Sequence, residues 1–221
     1  MPKYIETNVD KLFAEKDSLS SECLDHLLQR LFENHKSATD TLRKGLLALF
    51  AFWAVFFLIG SGTIAEGQIL SFKVTQVKNL LIAAPIVAGI VYYRVVSAYA
   101  TIVISRDVIQ SVYRHAFPKL YSSGIEQLCF PHSLIDHERA MHNLTKNVLI
   151  KNVGSVIPAI MYLVISVVLG VGSLLHLSFL LVAEGAVAPL LAWSSIALGA
   201  VFTIQGYMSL VMLGNLRLYA E

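Results

Sequence analysis

Between Gly45 and Ser61 the chain reads GLLALFAFWAVFFLIGS, without one charged side chain. The run neither alternates nor carries a polar stripe, so neither a half-buried strand nor an amphipathic surface helix accounts for it. Three more apolar stretches follow: LLIAAPIVAGIVYYRVVSAYATIVIS from Leu80, VGSVIPAIMYLVISVVLGVGSLLHL from Val153, and PLLAWSSIALGAVFTIQGYMSLVML from Pro189. About 20 apolar residues in a helix cross a hydrocarbon core ~30 Å thick. The expected fold is therefore all-α, a polytopic membrane protein with four transmembrane helices at 45–61, 80–98, 153–178 and 189–213. Residues 1–44 form N-terminal cytoplasmic helices, 99–152 a cytoplasmic helical segment and 214–221 a cytoplasmic tail.

Composition agrees. The 221 residues are 56% hydrophobic and 14% charged, against roughly 45–50% and 25% in soluble domains, and the excess is clustered in those runs. The first span is short, and thins the bilayer or takes in Thr63 and Ile64. Residues 1–44 carry both signs of charge and lack the basic start, short apolar core and small-residue cleavage site of a signal peptide. The first span is thus expected to stay in the protein.

Orientation follows from Lys and Arg outside the spans. Seven lie before span one (Lys3, Lys11, Lys16, Arg30, Lys36, Arg43 and Lys44) and two after it (Lys73 and Lys78). The block between spans two and three carries six: Arg106, Arg114, Lys119, Arg139, Lys146 and Lys151. The link between spans three and four has none, and the tail has Arg217. Both termini and the middle block are expected in the cytoplasm. Cys23 and Cys129 then sit in the reducing compartment, where two isolated cysteines make neither a disulfide framework nor a zinc knuckle.

The polar blocks read as helical stalks. Ile5, Val9, Leu12 and Phe13 share one helix face. SLSS at 18–21 breaks that helix and caps the next, whose first turn carries Glu22 and Asp25. Leu24, Leu28, Leu31, His35 and Leu42 then line one stripe, and no Gly or Pro interrupts it before Gly45. Beyond Tyr92 and Tyr93, which suit the interfacial belt, Ile104, Val108 and Val112 continue a stripe as far as Pro118. Mixed charges on the polar faces fit protein contact better than a membrane surface.

The stretch IDHERAMHNL at 135–144 resembles a zinc-hydrolase helix only superficially. His137 and His142 are five residues apart, and i and i+5 point about 140° apart on a helix. No metal ligand set is expected; Glu138 and His142 form an ordinary i, i+4 pair. Arg30 and His35 have the Arg-x4-His spacing of HEPN ribonucleases, but His35 lies on the apolar stripe and reads as a packed histidine. No P-loop, Rossmann glycines, nucleophile elbow or paired carboxylates are found. No catalytic residue and no cofactor is expected, and the chain does not read as an enzyme.

Polar groups within spans are the functional candidates. Arg94 in span two either snorkels to the cytoplasmic interface or faces a watery vestibule or anionic ligand. His176 is near the outer end of span three. Gln205 in span four is expected to face another helix or a pore. Ser195, Gly199 and Thr203, and also Ser166 with Gly170, recur at four-residue spacing and allow close helix approach. Pro85 and Pro158 are expected to kink spans two and three. The spans lack the several carboxylates of a proton-coupled transporter and show no inverted repeat. Four helices hardly enclose a path alone; an oligomer does, with one helix per subunit lining the axis.

Four spans, helical stalks and little catalytic equipment are similar to the membrane subunits of bacterial anti-phage systems of the Hailong and Kiwa type. The resemblance covers the whole chain as topology and carries over no site residue. It implies an oligomeric, tetrameric assembly in the bacterial inner membrane, held closed by a cytoplasmic protein, single-stranded nucleic acid or nucleotide ligand. The middle block, with six basic and four acidic residues, offers Arg114, His115, Lys119, His137, Arg139 and His142 for such a ligand. The expected function is an oligomeric pore or ion channel gated through the cytoplasmic helices. The alternative is a non-conducting membrane anchor or sensor that recruits a soluble partner.

Overall fold

The computed structural model describes residues 9–11, 13, 21–60, 67–69, 72–74, 81–123, 164, 170–183 and 189–218. They are almost entirely helical. In chain order come α1 (Ser21–Gly60), strands β1 (Gly67–Ile69) and β2 (Phe72–Val74), α2 (Ala84–Ala116), α3 (Pro118–Ser123), α4 (Ser173–Ala183) and α5 (Pro189–Leu218). Among the described residues three helices are long and apolar enough to cross a membrane: α1, α2 and α5. They correspond to the expected first, second and fourth spans. Of the third apolar stretch, 153–178, most lies outside the described residues, and α4, at its end, has only 11 residues.

A small hairpin departs from the all-α expectation. β1 and β2 pair antiparallel, Gly67 opposite Val74 and Ile69 opposite Phe72. Three-residue strands are too short to show a period in sequence, so nothing in that loop announced them.

The chain divides into two compact units. One comprises residues 1–41, 98–162 and 210–221, the other 42–97 and 163–209. In the first unit, the early part of α1 lies against the later part of α2. Ser21 and Glu22 open α1, the acidic side chain facing the positive end of the helix dipole. Moving seven residues along α1 from Leu28, which packs on Val112, reaches His35, which bonds Ser105 seven residues back along α2. The two segments are therefore antiparallel. Spacing of seven keeps one seam facing the partner over successive turns, as in a coiled coil. Val9 and Phe13 add to the Leu28–Val112 core.

In the second unit Phe56 of α1, Ala84 and Ala88 of α2, Leu177 and Leu181 of α4 and Ala192 of α5 form one apolar core with Leu81. The middle helix is α2: half of its apolar window is buried, against 17% for α1 and 28% for α5. Pro85 does not kink this helix as expected. It sits in the first turn of α2, where a missing N–H costs no intrahelical bond. At the other end α2 stops at Ala116, and Pro118 starts α3.

Candidate functional site

Of the ladder in α5, Ser195 and Gly199 meet the start of α2 and the residues just before it, and Thr203 is buried, all inside the second unit. Ser195 is 2% exposed and its hydroxyl donates to the Ile82 carbonyl. Thr203 Oγ1 donates to the Gly199 carbonyl at 2.9 Å, a back-bond to its own helix four residues earlier. Gly199 abuts the Pro85 carbonyl, and a Cβ added to Gly89 would lie 2.6 Å from the Gly199 oxygen. Backbone meets backbone here, as small residues in membrane helices allow. These three residues form a closed helix contact within one chain.

Tyr92 fills the space beside that contact. It is 1% exposed, and a Cβ on Gly170 or Gly206 would come within 2.6 or 2.9 Å of its ring. Two glycines make room for the Tyr92 ring inside the bundle, so it packs within the chain rather than facing outward as a belt aromatic does. Tyr93, its neighbour, is half-buried.

The two strongly polar candidates lie elsewhere. Arg94 and Gln205 are both exposed on the chain's surface. Gln205 faces no other helix among the described residues; its backbone carbonyl accepts from Ser209 Oγ at 3.0 Å. His176 is half-buried, its ring 5.5 Å from that of Trp53, and its Nε2 has no hydrogen-bond partner among the described residues.

In the first unit the ligand candidates separate. His115 Nε2 is 2.8 Å from Asp10 Oδ1, Nδ1 is 2.9 Å from the Ser111 carbonyl, and the ring stacks on Phe13. It therefore clasps Asp10 and Phe13 to α2. Arg114 stands over the Tyr121 ring at 5.3 Å and reaches its hydroxyl at 3.4 Å, tying α2 to α3. Lys119 is exposed, and its carbonyl accepts from Ser122. His137, Arg139 and His142 lie outside the described residues, as do Cys129, Pro158 and Ser166. Among the described residues no group of three or more His, Cys, Asp or Glu is placed to hold a metal.

Arg30 and His35 do not form a pair. Arg30 is exposed, while His35 is fully buried on Ser105. Sequence reasoning missed Arg106, which is 1% exposed in the first unit. It counted there only as one of the basic residues outside the spans, and nothing in its neighbours marks it for burial. The chain matches no protein-family model, no curated protein and no solved structure.

Proposed function

We propose that the protein is an oligomeric membrane channel whose ion path forms between copies and is governed by its cytoplasmic helical segments. One observation carries this reading. Arg94 and Gln205, the strongly polar side chains of the apolar stretches in α2 and α5, lie on the outside of the chain. The inward-facing hydroxyls of Ser195 and Thr203 are taken up by carbonyls, and Tyr92 fills the space beside them. An arginine at the centre of a bilayer costs roughly 2.5–3.5 kcal/mol on insertion scales, and an amide in hydrocarbon seeks a partner. Copies that bring Gln205 to a shared, hydrated axis give its amide partners, while Arg94 reaches the cytoplasmic interface. Four copies, in the bacterial inner membrane with both termini cytoplasmic, fit the charge distribution and the layout similar to anti-phage effectors.

The second reading is a non-conducting anchor or sensor. It is favoured by the exposed Arg114 and Lys119 at the end of α2 and start of α3, which a soluble partner, nucleotide or single-stranded nucleic acid would meet first. Ion flux through purified protein in liposomes, alone and with nucleotides or short single-stranded DNA, separates the two. Flux that a ligand switches supports the channel. A folded oligomer that conducts under none of these conditions leaves the anchor.

A further inference from the structure

We infer that α5 is the contact helix between copies, and that a second copy of this chain packs its own α5 in parallel along Leu191, Ser194, Leu198, Val201, Gln205 and Met208. The inference rests on the membrane reading and not on conduction. These six residues recur at spacings of three and four, the 3.5-residue period that keeps one seam facing a partner helix. All six are exposed; Leu198 is 50%, Val201 58% and Met208 53% exposed. They span about 26 Å at 1.5 Å per residue, nearly the hydrocarbon thickness.

The same spacing is already put to use in this chain. On α1, Leu24, Leu28, Leu31, His35, Ala38 and Leu42 alternate by four and three, and all are buried or half-buried. That seam is filled from within the chain. The centre of the α5 seam is turned about 130° round the helix from Ser195, Gly199 and Thr203, which the chain itself covers. No described element covers Leu198, Val201 or Gln205.

Lipid covers apolar side chains adequately, so Gln205 decides the occupant. Ser194 donates to the Leu190 carbonyl and needs no outside partner. The Gln205 amide has no such local solution among the described residues, and hydrocarbon offers it none. Copies inserted by one positive-inside rule are parallel, which sets Gln205 beside Gln205. Each amide both donates and accepts, so identical residues at one depth satisfy each other. A single polar residue on an otherwise apolar seam also fixes register. In a four-copy bundle such a seam points to the common axis.

Single cysteines test this in protein whose Cys23 and Cys129 are replaced by serine. Leu198→Cys, Val201→Cys and, as a control away from the seam, Tyr207→Cys are reconstituted at low density in lipid vesicles and oxidised with copper phenanthroline. Tyr207 is exposed too, but is turned about 160° from Gln205 and about 120° from Val201. Disulfide dimers are expected at Leu198→Cys and Val201→Cys and not at Tyr207→Cys. Adding Gln205→Leu to Leu198→Cys weakens coupling about 3- to 30-fold, while Gln205→Asn retains most of it. Equal coupling at all three positions, or none at any, overturns the seam. Flux recorded on the same vesicles separates the two proposals. Flux without coupling removes the seam and leaves the channel; coupling without flux keeps the seam and removes the channel.

Discussion

His35 Nδ1 lies 2.9 Å from Ser105 Oγ, with neither the ring nor its helix face open to solvent. The serine hydroxyl is also 3.1 Å from the Ile102 carbonyl, to which it donates, leaving its lone pair to accept from an Nδ1–H. The bond joins α1 to α2 in the first unit. Ser105→Ala orphans a buried donor and is expected to cost about 1–3 kcal/mol. His35→Ala adds a cavity and is expected to cost about 2–4 kcal/mol. Arg30→Ala, on an exposed face, should stay within about 0.5 kcal/mol. Denaturant unfolding in micelles ranks the three; equal losses for Arg30 and His35 would refute the packed-histidine role.

The glycines of the second unit are not equivalent. A Cβ at Gly199 meets the Pro85 carbonyl, which is backbone and cannot step aside. A Cβ at Gly45 meets only Val95 Cγ2, at 2.7 Å, with its next neighbour at 3.9 Å. Alanine gains about 1 kcal/mol over glycine inside a helix, whereas overpacking costs about 1–3 kcal/mol. Gly199→Ala should therefore lower the thermal midpoint clearly, and Gly45→Ala should leave it almost unchanged. The reverse order would mean that α2 and α5 do not cross at these residues.

At Asp10 and Phe13 packing outweighs charge. The Asp10–His115 pair is open to water on both side chains, 52% and 28% exposed, and such pairs contribute at most about 1 kcal/mol. Phe13 stacks on His115 with centroids 5.3 Å apart and packs against the Val9–Leu28–Val112 core. Phe13→Ala is expected to cost about 1–2 kcal/mol. Hydrogen exchange of residues 9–13 should therefore quicken more in Phe13→Ala than in Asp10→Asn. A larger effect from Asp10→Asn would make the clasp electrostatic.

What sequence made legible was what a single helix decides for itself. The stripe from Leu24 to Leu42 is buried because its period matches the partner's, and Pro118 ends α2 because proline cannot continue it. What depended on a distant neighbour was not legible. Tyr92 reads as an interface aromatic until Gly170 and Gly206 open a place for it inside. Pro85 reads as a kink until the helix is seen to begin at Ala84. Of the functional candidates, sequence singled out Gln205 for its polarity. It did not tell that the residue faces away from its own bundle while Ser195, Gly199 and Thr203 face into it.

That outward face gives a selectivity prediction for Gln205. If copies meet along α5, each contributes one amide at the same depth of a common axis. Gln205→Glu replaces that ring of dipoles with carboxylates, the arrangement that favours cations in pores. The variant should shift the reversal potential of liposome-reconstituted channels toward that of the cation, and do so less at high salt, where screening shortens the reach of the ring. Gln205→Leu should suppress conduction by lining the axis with hydrocarbon. Arg94→Gln serves as the comparison, since Arg94 lies on α2 and off the proposed seam. If Arg94→Gln shifts selectivity and Gln205→Glu does not, the water path runs along α2, and α5 serves only to hold the copies together.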